Sequence, residues 1–206
     1  MAITVPIPRA PRPGPPGGIA EWYENELGWA TAQAPGDSPV QLVTGLRFDV
    51  LELPADAGHA VLRRCGGTGP VALMGQRMRI LLAAGSADEV PGLLEWLEWG
   101  GVALDLTAVG AGGRITAPVP PAPADRPAGG PAGAQGTARW LRPPEPRREV
   151  EPVLPAFTGF ARAGAGGSRA SGAPDLVRLV DAAATECHRV RLTRGARRGA
   201  QPLAFS

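Results

Sequence analysis

Val43-Thr-Gly-Leu-Arg-Phe-Asp-Val-Leu-Glu-Leu-Pro54 is the stretch on which the reading of the chain turns. Phe48–Leu53 reads as a buried strand that delivers acidic side chains to a sheet edge. Gly45 separates it from a second candidate strand, Val40–Thr44. Pro54 closes it, because proline has no N–H to give to a ladder. Two acids, Asp49 and Glu52, ride on the strand three residues apart, so they should point to opposite faces.

Downstream, Ala55–Arg64 reads as a helix that offers Ala57, Ala60, Val61 and Leu62 to a core, with Asp56 near its N-terminus. Strand, tight link and helix in that order suggest the start of an α/β unit. Pro70–Met74 and Met78–Ala84 read as a hairpin about Gly75-Gln76-Arg77. Ser86-Ala-Asp-Glu89 has the capping-box pattern and opens a further helix, in which Pro91 predicts an irregular first turn. Val102–Val109, Arg114–Val119 and Thr137–Arg142 read as strands, the last pairing back onto the sheet.

Upstream, Ile19–Gly28 is a short amphipathic helix, with Ile19, Trp22, Tyr23 and Leu27 at helical spacing. Trp22 and Trp29 are read as core packing. The clearest helix lies near the end, at 174–192. Leu176, Val177, Leu179, Val180, Ala183, Ala184, Cys187 and Val190 form one apolar stripe there, which must dock, most simply on the main sheet. Cys187 is read as a small buried hydrophobe. The expected fold class is α/β in an α+β layout: a mostly antiparallel sheet with packed helices and a docked C-terminal helix.

Composition sets the organisation. The 206 residues suffice for one domain with a core. The 29 glycines and 24 prolines concentrate in 1–18, 118–136 and 143–173. Those segments cannot bury enough apolar surface to offset ordering entropy, so they are expected to be a disordered arm, insert and tether. This leaves a domain at 19–142, the helix at 174–192 and a basic tail at 193–206. All 21 basic residues are arginine, which suits a high-GC genome, and the net charge of +2 neither demands nor forbids a polyanion. Cys65 and Cys187 lack zinc-ligand spacing and do not suggest a secreted disulfide framework. Neither a signal peptide nor a membrane-spanning run is read, so a cytoplasmic location without membrane contact is expected.

Few residues suggest chemistry. Glu52 is the candidate metal ligand; Asp49 has the wrong spacing to share its ion. His59 and His188 lack ligand-spaced neighbours, and no Gly-x-Ser-x-Gly elbow supports a triad. Gly66-Gly-Thr-Gly69 reads as a loop and Gly110-Ala-Gly-Gly113 as a turn. The latter precedes a strand, so it is no phosphate loop of the helix-terminus type. Arg77, Arg79 and Arg114 lie on or beside strands and could line an anion cleft, or simply be solvated.

In order along the chain, Leu42–Pro54, Gly69-Pro-Val-Ala-Leu-Met-Gly-Gln-Arg-Met-Arg79, Gly112-Gly-Arg-Ile-Thr-Ala-Pro-Val-Pro-Pro121 and Trp140-Leu-Arg-Pro-Pro144 resemble the primase-polymerase (prim-pol) domain of the archaeo-eukaryotic primase superfamily, widespread in actinobacteria. The likeness covers about half the chain; the chain also resembles a shorter, proline-rich actinobacterial group of unassigned activity. In the family an Asp-x-Asp pair holds the metal, and here Glu52 and Pro54 stand at the matching positions. Gln76-Arg77-Met78 falls where the family has its nucleotide-contacting histidine, and Ala111 falls near its third acid. The resemblance therefore implies a fold kept and metal chemistry lost, with no catalytic residue and no cofactor. The expected function is a non-catalytic module that binds nucleic acid or nucleotide through Arg77, Arg79 and Arg114, helped by the arginine tail. The alternatives are a protein-interaction adaptor working through its proline-rich segments, and an active primase or polymerase.

Overall fold

Strand β3 (Phe48–Pro54) lies inside a five-stranded antiparallel sheet of order β6-β3-β5-β4-β8. In this computed structural model the described residues are 18–32, 38–121, 137–157 and 175–199. The remaining strands of that sheet are β4 (Val71–Met74), β5 (Arg77–Ala83), β6 (Thr107–Val109) and β8 (Arg139–Arg142). A smaller antiparallel sheet joins β1 (Thr31–Ala32), β2 (Gln41–Val43) and β7 (Arg114–Thr116). The helices are α1 (Ile19–Glu26), α2 (Ala55–Cys65), α3 (Ser86–Trp96) and α4 (Leu176–Gly199). The fold is α/β with antiparallel sheets.

Alternation along β3 splits the interior in two. Leu51 and Leu53 point into a principal core with Met78, Ile80 and Leu82 of β5, Val61 of α2, Val90 and Leu93 of α3, and Leu176, Leu179, Val180 and Cys187 of α4. Phe48 and Val50 point the other way, into a second cluster with Tyr23, Trp29, Leu42, Leu81 and Ile115. A strand covered on both faces keeps both sets apolar, which is why its sequence reads as a nearly unbroken run. The C-terminal stripe docks, as expected, but mainly on α2 and α3 rather than on the main sheet, of which β3 alone is in substantial contact with α4.

The second cluster is tied by polar groups at its aromatic centre. Trp140 Nε1–H donates to the Tyr23 hydroxyl at 2.9 Å, and that hydroxyl donates to the Pro118 carbonyl at 2.7 Å. Trp29 stacks on Tyr23 and tilts against Phe48, with ring centroids 5.8 and 4.6 Å apart, as the packing reading of Trp29 requires.

Several expectations need correction. The tether expected from residue 143 is ordered as far as 157. Val150 and Leu154, flanking a 3₁₀ turn at Glu151–Val153, fill the second cluster, and Ala83 N–H donates to the Pro155 carbonyl at 2.9 Å. Likewise, the first residues of the expected insert are ordered, with Val119 bridging Arg139. The strand expected at 102–109 is confined to Thr107–Val109, because the preceding loop binds α4 instead: Arg191 Nη1 donates to the Ala103 carbonyl at 2.5 Å. Helix α4 also continues past 192, through the first part of the expected basic tail, to Gly199. The arm at 1–17, the rest of the insert and tether, and the tail from 200 lie outside the described residues. Among the described residues no helix is long and apolar enough to cross a membrane.

Helix α3 shows how tertiary structure replaces a local signal. The Ser86–Glu89 capping box does not form; Gly85, at φ 84°, occupies the cap position and no local side chain caps the helix. Instead Asp49 reaches up from β3, and its Oδ2 accepts the Ala87 N–H at 2.8 Å. This supplies the carboxylate that a helix N-terminus favours. The helix runs on through Pro91 without the irregular first turn that proline suggests.

Candidate functional site

The two acids of β3 do point to opposite faces, and their fates differ. Asp49 is fully buried beneath α3. Burial raises its carboxyl above the ordinary value, opposed by the Ala87 hydrogen bond and reinforced by the neighbouring charge of Asp88. Its role is to hold the helix start.

Glu52 lies on the other face, at the centre of a charge cluster. The register sets Glu52 opposite Arg79 and Pro54 opposite Arg77. Arg79 Nε–H donates to Glu52 Oε2 at 2.7 Å, and Arg77 Nε–H to Oε1 at 3.0 Å. Arg77 Nη1 reaches on to Asp105 Oδ1 at 2.5 Å. Burial works to raise the Glu52 carboxyl, but the two arginines outweigh it and hold it below its ordinary range. Burial likewise works against the Arg77 charge, and Asp105 and Glu52 reverse this and raise its pKa.

This geometry sets Glu52, the expected metal ligand, between two cations. Both its oxygens accept from guanidinium groups, so an approaching divalent ion would meet two cations at the site. Among the described residues, no group of three His, Cys, Asp or Glu side chains is placed to hold a metal ion.

The residues of the expected arginine cleft are brought together only in part. Arg77 and Arg79 share a face, but two carboxylates balance their two charges. Arg79 Nη1 is buried with no protein partner. Arg114 is not brought to them. It sits on β7 opposite Val43, beside the turn that leads into β3, whereas Arg77 lies opposite Pro54 at the far end. Six residue steps of strand separate Phe48 from Pro54, roughly 20 Å.

The exposed cations gather elsewhere, along the seam where α2 packs on α4. Arg63 and Arg64 end α2; Arg64 meets Arg178 and Arg189 of α4 there, and all four are exposed. Between them lies Glu186, whose side chain is only 4% exposed. Its Oε1 accepts from Arg64 Nη1 at 3.0 Å and from Arg189 Nη1 at 2.8 Å. Arg178 Nη2 donates to the Arg64 carbonyl at 3.4 Å. One buried acid thus fixes two outward guanidiniums, and the seam keeps a surplus of positive charge. Sequence reasoning missed this site because the two arginine pairs are more than a hundred residues apart, and only the α2–α4 packing joins them. The signal that could have found it was Arg63-Arg64 ending one helix and a basic face on another.

A cleft of about 830 Å³ opens further along α4, between its last turns, Pro54 and the loop at 103–105. Cys187 lines its inner end, where burial pushes the thiol up to about 12. A thiol so held stays protonated at neutral pH, as its reading as a buried hydrophobe implies. His59 is exposed on α2, and His188 lies against the Trp99 ring with centroids 5.7 Å apart.

Comparison with protein-family models, with curated proteins and with solved structures finds no match to this chain.

Proposed function

We propose that the chain is a non-catalytic, prim-pol-like module that binds nucleic acid in the cytoplasm, with the α2–α4 seam as its phosphate-contacting surface. The likeness to the prim-pol domain rests on the sequence segments quoted above. The observation that carries the binding reading is the trio Arg64–Glu186–Arg189. A carboxylate buried between two helices holds two exposed guanidiniums in fixed positions, so little side-chain entropy is lost when a phosphate arrives. Arg178 adds charge at the same seam, and exposed Arg63 adds more at the end of α2. Beyond Glu186 the sequence carries no further acid. Such a surface neutralises backbone phosphates and is insensitive to base sequence.

The test is fluorescence anisotropy of labelled DNA and RNA oligonucleotides across a salt series. The expected result is binding at low ionic strength that weakens steeply as salt rises. Replacing Arg64 and Arg189 by Gln should reduce the slope of log K against log salt by about 1.4–1.8, since each phosphate contact contributes about 0.7–0.9. Replacing Arg114 should change little. Failure to bind at low salt, or binding indifferent to Arg63, Arg64, Arg178 and Arg189, rejects the proposal.

A further inference from the structure

The last turns of α4 overhang the body of the protein. Residues 191–196 are all exposed. Yet the helix side that carries Leu176, Leu179, Val180, Ala183 and Cys187 into the core continues at helical spacing through Val190, Arg191 and Arg194. That continuation roofs the cleft of about 830 Å³, whose floor is Pro54 and Leu104. The size falls within the usual range for small-ligand sites.

The lining is of two kinds. Pro54, Leu104, Val190 and Leu192 are aliphatic, and among the described residues no aromatic ring lines the cleft. The charged groups are Asp105, Arg191 and Arg194. Asp105 is engaged by Arg77, and Arg191 is pinned to the Ala103 carbonyl. Arg194 pairs with Asp56 across 3.6 Å, with the two side chains 47% and 72% exposed. So open a pair is screened by water and gives way readily to a competing anion.

We propose that this cleft binds a free, single-chain aliphatic carboxylate, with its chain on Pro54, Leu104 and Val190 and its head on Arg194. A planar guanidinium can take both oxygens of one carboxylate, which favours that head group over a neutral one. The apolar walls favour chain length without further polar features. The site is separate from the Arg64–Glu186–Arg189 trio, so it stands or falls independently of nucleic-acid binding.

Isothermal titration of the full chain with octanoate, decanoate and dodecanoate, each below its micellar concentration, tests it. Affinity should rise about three- to fourfold per methylene buried. Decanol should bind at least tenfold more weakly than decanoate, and Arg194→Ala should abolish that difference. Ala196→Trp, at an exposed position lining the cleft, should block binding while leaving the melting temperature unchanged. Phosphatidylglycerol vesicles serve as the comparison arm. The inference is overturned if dodecanoate does not bind, if decanol matches decanoate, if Arg194→Ala or Ala196→Trp binds as the parent does, or if vesicles bind and free carboxylates do not.

Discussion

Removing the Glu52 carboxylate should destabilise the fold severely. Its two oxygens hold Arg79, whose side chain is 11% exposed, and Arg77, at 28%. In Glu52→Ala these two cations lose their shared counter-charge, and Arg79 is left largely buried. Each hydrogen bond to a charged group is worth about 1.5–3 kcal/mol. Allowing for the partial exposure of Arg77 and its remaining tie to Asp105, the loss should be about 3 kcal/mol. For a chain of this size each kcal/mol lowers the melting temperature by about 2–4 °C, so a fall of about 6–12 °C is expected. Urea titration and thermal melting followed by circular dichroism would measure it. The double variant Glu52→Leu with Arg79→Met removes both charges and should recover most of the loss, since an apolar pair replaces a buried ionic one at little cost. The pH dependence has a definite sign. Because the folded carboxyl is held below its ordinary value of 4.5, its contribution is fully present above pH 4.5 and is lost as pH falls through the lowered folded value. Glu52→Ala should flatten that acid limb. A loss below about 1 kcal/mol in Glu52→Ala, or a double variant no better than the single one, would refute the account of this cluster.

Two further outcomes test other parts of the fold. Asp49, whose folded pKa is raised, has the opposite linkage: its contribution is greatest at low pH and declines as pH climbs from its ordinary value of 3.8 through the folded one. Asp49→Asn should remove that decline in a stability-versus-pH series; an unchanged profile would assign the titration elsewhere. Gly58 of α2 packs directly on β5, where an added Cβ would lie 2.9 Å from Met78 Cβ. Gly58→Ala should therefore cost about 1–3 kcal/mol in urea unfolding, despite the gain in helix propensity.

The parts of the fold legible in the sequence were those with a local cause. Phe48–Leu53 read as a strand because covering both faces keeps both faces apolar. The helix at 174–192 read from its stripe. The segment at 143–157 did not read as ordered, since its proline-rich composition resembles a tether, yet Val150 and Leu154 anchor it and two of its prolines, Pro144 and Pro155, are themselves buried. The cap of α3 was misread for a related reason: Ser86 and Glu89 have the right spacing, but Asp49 reaches the helix start from another element. At the candidate site, the opposed directions of Asp49 and Glu52 followed from strand alternation alone. The pairing of Glu52 with both arginines did not, because it depends on β3–β5 register. Nor did the separation of Arg114, which follows from the division of the strands between two sheets.

The way α4 completes the principal core has a practical corollary. Its contribution is one uninterrupted helix, stitched to the rest at its start by the Leu176 N–H bond to the Ala156 carbonyl. A chain ending at 157 would expose to water the apolar sides of α2 and α3 that α4 now covers, and should self-associate. Supplying a synthetic peptide of 175–199 in trans should restore a monodisperse species, making the protein a natural split reporter whose two halves signal by reuniting.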